Sequence, residues 1–199
     1  MRNVFAAAAV MAATLSVGAG PVAAQENNGC PDGSYSVVLT PDGGTLTILF
    51  SAFVIEAGDE AGRNADRKTC WIHVPLNLPP DTSVGVYKVD YRGFAALAQQ
   101  QQFELSVVYG FNGGRDHSYR RQLRGEHGGD FAFSQTIGAG LMRRVGCGQE
   151  AALDVEASIS LNANGRPGDA LAALDSLDGV PKGGLVYFLR YDKCSPGNR

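Results

Sequence analysis

The chain has 199 residues, 44% hydrophobic, 19% charged and 9% aromatic, with a formal net charge of -3. An ordinary apolar fraction with so little net charge suits a folded soluble domain and excludes a disordered chain, while weak acidity argues against nucleic acid or an anionic membrane as the partner. The 26 glycines and 9 prolines follow no period, which excludes collagen-like order and fits a turn-rich fold.

The first residues read as a leader. Arg2 supplies a positive start, Val4 to Val17 are apolar, and Val22-Ala23-Ala24 offers the small residues a signal peptidase needs before Gln25. That apolar run, about 14 residues, is shorter than the roughly 20 that span a bilayer. The expectation is a signal peptide over 1–24, cleaved after Ala24, and one secreted domain over 25–199, extracellular or periplasmic, with no membrane span in the mature protein. A retained N-terminal anchor is the alternative.

Cys30, Cys70, Cys147 and Cys194 all follow the leader. An even number of cysteines in an exported chain reads as two disulfides, and no C-x-x-C spacing suggests a redox or zinc site. Three connectivities are open. Pairing nearest neighbours, Cys30 with Cys70 and Cys147 with Cys194, is the favoured one, and closing a loop of about 40 residues stabilises a fold by roughly 4 kcal/mol in the chain-entropy model.

Period-two alternation, the mark of a half-buried strand, recurs along the chain. Tyr35, Val37 and Leu39 lead into the turn Pro41-Asp42-Gly43-Gly44, and Leu46, Ile48, Phe50, Ala52 and Val54 follow, which predicts a β-hairpin. Ile72, Val74, Leu76 and Leu78 oppose Trp71, His73, Pro75 and Asn77; Phe103 to Phe111 and Leu153 to Leu161 alternate likewise. Further strands are expected at 83–92, 117–125, 130–137 and 183–192. Only Asp169 to Leu177 reads as helical, and it is too short to stand alone. The expected fold is all-β: an antiparallel β-sandwich or flattened barrel of about nine strands with one short helix, stapled by disulfides.

Several short motifs in order resemble a known family. They are Gly29-Cys30-Pro31 with Gly33, Thr40-Pro41-Asp42-Gly43, Asp66-Arg67-Lys68-Thr69-Cys70, Tyr91-Arg92-Gly93, Gly129-Asp130, Cys147-Gly148, Leu174-Asp175-Ser176 and Lys193-Cys194. Together they look like the secreted family called domain of unknown function 4360, across essentially the whole mature chain. Thr69 and Trp71 stand where that pattern has Asn and Gln, and Tyr191 where it has Trp. The resemblance implies export and paired cysteines; it carries no activity and no catalytic residue.

The chemistry-bearing residues point to surfaces more than to an active site. His73, His117 and His127 show no ligand spacing, and neither H-E-x-x-H nor G-x-S-x-G occurs. Asp59, Glu60 and Asp66 offer oxygen ligands for calcium, but the segment lacks EF-hand spacing and includes Arg63, so a solvated loop is the plainer account. Gly113-Gly114-Arg115-Asp116 faintly echoes a calcium-binding repeat but occurs once. Asp154 and Glu156 share a strand face at about 6.6 Å by backbone rise, a spacing that suits glycoside hydrolysis and equally any acidic strand face.

Arg115, Arg120, Arg121 and Arg124, with Arg143 and Arg144 later, stand out in an acidic chain. Guanidinium groups match sulfate, phosphate or uronate bidentately, although pairing with neighbouring carboxylates is the plainer account. Trp71 opposes an inward row, and Tyr87 and Tyr91 share parity with Val89, so each is a candidate sugar platform or a core residue. The run Gln99 to Gln102 reads as a polar turn.

The function expected is therefore a non-catalytic extracellular binding or surface-interaction module for a glycan or anionic polymer, with Trp71, Arg120 and Arg124 as ligand-binding residues. No catalytic residue, metal or cofactor is assigned. The alternatives are a polysaccharide hydrolase using Asp154 and Glu156, or a structural envelope or matrix protein. Mass spectrometry of the exported protein should find Gln25, free or cyclised, as the first residue; Met1 on the extracellular form would contradict the cleavage.

Overall fold

Alternating segments build the smaller of two sheets. In a computed structural model describing residues 29–175 and 183–194, β4 (Ala65–Leu76), β6 (Gln102–Phe111), β7 (His117–Arg124) and β10 (Ala151–Asn162) form an antiparallel sheet in the order β4-β10-β6-β7. One face is buried, through Ile72 and Val74 on β4, Leu105 and Val107 on β6, and Val155 and Ile159 on β10. The expected leader lies outside the described residues.

The larger sheet is organised by β5 (Thr82–Leu97), which pairs along both of its edges. On one side lie β12 (Gly184–Lys193) and then β11 (Ala170–Ala173); on the other lie β9 (Arg144–Gly146) and β8 (His127–Thr136). β1 (Tyr35–Leu39) and β2 (Thr45–Phe50) extend the sheet beyond β12, and β3 (Val54–Ala57) extends it beyond β11, to eight strands. The two sheets share one hydrophobic core, making an antiparallel β-sandwich.

The sequence-based expectation needs three corrections here. The described residues form twelve strands and no helix, where about nine strands and one helix were expected. The unanticipated strands β3, β9 and β11 have four, three and four residues, too short for alternation to register. The segment from Asp169 enters β11, because β12 stops pairing at Arg92 and leaves Phe94 to Ala96 of β5 open; Leu171 to Ala173 take those positions. Backbone pairing into a buried site overrides a weak helical pattern. Residues 176 and 177 of that expected helix lie outside the described residues.

The expected run from Leu46 to Val54 is also broken. Ser51 and Ala52 bend the chain between β2 and β3, so Phe53 and Ile55, of the opposite parity, are the ones buried. The third correction concerns β5. Lys88 pairs with Phe188 but Val86 with Leu189, a bulge that leaves Tyr87 as the extra residue. Parity therefore inverts at Tyr87: Val84 and Val86 are buried before it, Val89 and Tyr91 after it, and Tyr87 is 40% exposed.

The disulfides join Cys30 to Cys70 and Cys147 to Cys194, with Cα separations of 5.2 and 5.7 Å. The first fixes the segment before β1 against β4, where the Gly29 N–H donates to the Thr69 carbonyl at 2.9 Å. The second fixes the chain's later half to the start of β5: the Cys147 N–H donates to Thr82 O and the Cys194 N–H to Asp81 O, each at 2.9 Å.

Several polar groups taken into the sandwich are hydrogen-bonded, although the fully buried Tyr187 hydroxyl has no hydrogen-bond partner among the described residues. The hydroxyls of Tyr91 and Tyr109 donate to Gln135 Oε1 at 2.7 and 3.1 Å, and the Gln135 amide donates to Ser118 O at 3.1 Å. Burial raises both phenols above their usual range, so they stay protonated donors. Asp90 is 8% exposed. Burial opposes its charge, but the Ser134 hydroxyl at 2.6 Å and the ammonium of Lys88 together outweigh that and lower its pKa. A carboxylate held below its unfolded value stabilises the fold above about pH 4, and that contribution disappears as pH falls through the native value. Asp90→Asn should accordingly unfold with a weaker pH dependence than the wild type below about pH 4, as followed by thermal melts across an acid series.

Candidate functional site

The outer face of the four-stranded sheet collects the residues singled out in the sequence. Its strands are in register, so side chains of like parity form rows across it. One row runs Trp71, Glu156, Val108, Ser118, and the next Thr69, Ser158, Ser106, Arg120. Two rows further along stand Ala65, Asn162, Gln102 and Arg124. Trp71 on β4 and Arg120 and Arg124 on β7 therefore share one face at opposite sides of a platform about 14 Å wide, three strand spacings.

At the Trp71 side the platform sinks into a cleft of about 260 Å³ lined by Trp71, His73, Gly113, Arg115, Asp154 and Glu156. The turn after β6 makes it. Asn112 and Gly113 adopt positive φ of 52° and 77°, and Asn112 is anchored to β10 by bonds from its amide to Glu150 O and from the Ala152 N–H to its Oδ1. That fold-back needs a glycine at position 110, where a Cβ would collide with the Gly114 carbonyl. It carries Arg115 onto the platform, with its guanidinium 2.6 Å from Glu156 and 5.9 Å from the centre of the Trp71 ring.

The carboxylates considered as a hydrolytic pair are both engaged by donors. Asp154 faces His73 Nδ1 at 2.6 Å and accepts the Gly113 N–H at 2.6 Å, and Glu156 holds Arg115. The arrangement is a charge-balanced rim of hydrogen-bonding groups beside a half-exposed indole.

The arginine stretch divides between the two sides of its strand. Arg120 lies 3.6 Å from Glu104, and Arg124 donates to Gln122 Oε1 at 2.8 Å, which leaves both mostly open to solvent. Arg121 points the other way, over the Phe133 ring at 5.4 Å. Arg143 and Arg144 pair with Asp116 and Asp192, at 2.6 and 2.7 Å. Tyr91 is in the core, and Tyr87 packs against Phe188 on the other sheet, so neither joins the platform.

The acidic segment acts as a loop clasp. Asp59 accepts the Gly168 N–H at 2.9 Å, Asp169 accepts the Glu60 N–H at 2.8 Å, and Asp66 pairs with Arg63 at 3.4 Å. Among the described residues no group of three or more His, Cys, Asp and Glu side chains could hold a metal ion, and no helix is long and apolar enough to cross a membrane. Alternation foretold which residues face outward; it did not foretell that the turn at 112–116 would bring Arg115 to Trp71, because that contact depends on a backbone excursion from another strand.

Fold and disulfides together define a disulfide-stapled all-β protein. The chain belongs to the family described as Domain of unknown function (DUF4360), whose model matches residues 23–194. A relative described as "Uncharacterized secreted protein", from Arthroderma benhamiae, is 26% identical over 168 residues, covering 84% of this chain and 68% of that protein. Among solved structures, infectious bursal disease virus Gx strain aligns with a TM-score of 0.31 at 12% identity, over 73% of this chain and 34% of that one. The extra small virus particle of the prawn Macrobrachium rosenbergii aligns at 0.21 and 14%, over 66% and 81%.

Trp71 is the chain's one tryptophan, so its emission reports on this face alone. Trp71→Ala should cost well under the ~3–5 kcal/mol of removing a buried aromatic, and acrylamide should quench the wild-type emission readily. A loss in the full buried range would place the ring among the core residues.

Proposed function

We propose that this protein is an exported, non-catalytic binding module, cleaved after Ala24 to a single domain, that lays an extracellular glycan or anionic polymer across the outer face of its four-stranded sheet. The observation that carries this reading is that Trp71, Arg120 and Arg124 stand on the same outer face of one sheet, at opposite sides of it. A flat sheet face suits an extended polymer. Trp71 offers an indole on which a sugar ring stacks, and the Asp154 and Glu156 rim offers hydroxyl acceptors beside it. Arg120 and Arg124, held only loosely by Glu104 and Gln122, offer guanidinium forks to sulfate or uronate groups. Both cleft carboxylates are tied to donors, which favours binding over hydrolysis as their role.

The test uses purified mature protein on immobilised sulfated or uronate polysaccharide and on a neutral glycan array. Retention on the acidic matrix should weaken with salt and fall in an Arg120→Ala, Arg124→Ala double variant, with melting unchanged because exposed ion pairs contribute at most about 1 kcal/mol. Trp71→Ala should reduce binding to every retained sugar. Unchanged retention in both variants, or release of reducing ends from the matrix, would overturn the reading.

A further inference from the structure

The two sheets differ in width, and β1 is where the wider one overhangs. Its inward residues Val37 and Leu39 follow Ile48 and Leu46 of β2 in register, yet they are 37% and 48% exposed. Val38, on the opposite face, is 50% exposed. Of the five large hydrophobic residues exposed among the described ones, three are therefore consecutive in one strand. Beneath β1 lies an apolar groove of about 640 Å³ lined by Val37, Leu39, Leu46, Val74, Leu76 and Leu78, with Tyr191 at its end.

The outer edge of β1 is also open. The Thr40 N–H donates to Thr45 O and the Ser51 N–H to Ser34 O, so residues 34, 36, 38 and 40 bond to β2 while Tyr35, Val37 and Leu39 aim their N–H and C=O groups outward. No other described strand pairs there. The other outer strands carry blocking features: β3 and β9 have only four and three residues, and β8 carries Gly128, Gly129 and Asp130. β4 has Pro75 and the Gly29 contact, and β7 has three arginines. β1, Tyr-Ser-Val-Val-Leu, has neither charge, proline nor glycine, the composition of an edge open to pairing.

We infer that β1 docks a second copy of this chain by antiparallel β1–β1 pairing about a two-fold axis at Val37. The outward residues are symmetric about that position, so Tyr35 exchanges bonds with Leu39 of the partner subunit and Val37 meets its own mate: the strand is complementary to itself. The axis stands perpendicular to the sheet, so both inward faces remain on one side and the two grooves lie side by side beneath one continuous sheet. A strand of five residues is too small for a stable interface. Adding the groove lining brings the surface close to the 20 or so residues a side of a standard one.

Sedimentation velocity of the mature wild-type protein over a wide dilution series should show a monomer–dimer equilibrium. Val37→Lys, which sets like charges opposite each other at the axis, and Val37→Pro, which removes one outward N–H, should each raise the dissociation constant at least tenfold without lowering the melting temperature of the monomer. A wild-type protein that stays monomeric at the highest concentration overturns the inference, as does a dimer that both variants leave intact. A monomer that instead captures a synthetic strand peptide of unrelated sequence also overturns it, and assigns the edge to a foreign strand.

Discussion

The sandwich depends on the double-sided pairing of β5. A strand of sixteen residues is long enough for two strands to share each edge, β12 and β11 on one side and β9 and β8 on the other. The backbone hydrogen bonds of four other segments end on it. The Cys147–Cys194 bridge clamps its beginning, through amides donated to Asp81 and Thr82. At its other end Gly93 is required, because a Cβ there would meet the Ala173 carbonyl and the Phe131 ring. The bulge at Tyr87 lies between these two points and lets one strand keep apolar residues inward along its whole length despite a break in parity.

A sheet of eight strands facing one of four cannot be covered evenly. The small sheet spends one face on the core, so its other face is free of packing demands and is occupied by hydroxyls, amides and compensated charges. Such exposed pairs add little to stability, which leaves the side chains of that face open to selection for what they touch. Arg115 and Glu156 illustrate the point: the pair shapes the cleft beside Trp71 and has no partner in the core. At the opposite margin the same mismatch leaves β1 without a lid, and the groove beneath it is lined by residues that a wider second sheet would have buried.

The platform and the overhang lie on different surfaces. The first is polar, flat and built from side chains of the four-stranded sheet; the second is apolar and built from the free backbone edge of β1. Pairing through β1 would leave the platform open in both copies and double the number of arginine-bearing faces in one particle. Two linked sites on a repetitive polymer raise the effective strength of binding without any new contact.

The sequence by itself determined the all-β class, the long strands β4, β5, β6 and β10, the side of each strand on which Trp71, Asp154 and Glu156 stand, and the paired state of the four cysteines. These are consequences of local alternation and of the chemistry of thiols in an exported chain. Only the tertiary structure decided the rest. β3, β9 and β11 exist because neighbouring strands offer unfilled hydrogen-bond positions, a demand set by distant residues and absent from their own three or four. Tyr87 and Tyr91 share parity in the sequence but not a face in space, since a bulge is defined by its partner strand. Val37 and Leu39 carry the same inward pattern as Ile48 and Leu46, yet remain open to solvent. Alternation reports which way a side chain leaves the backbone; whether anything waits on that side depends on how far the opposite sheet extends.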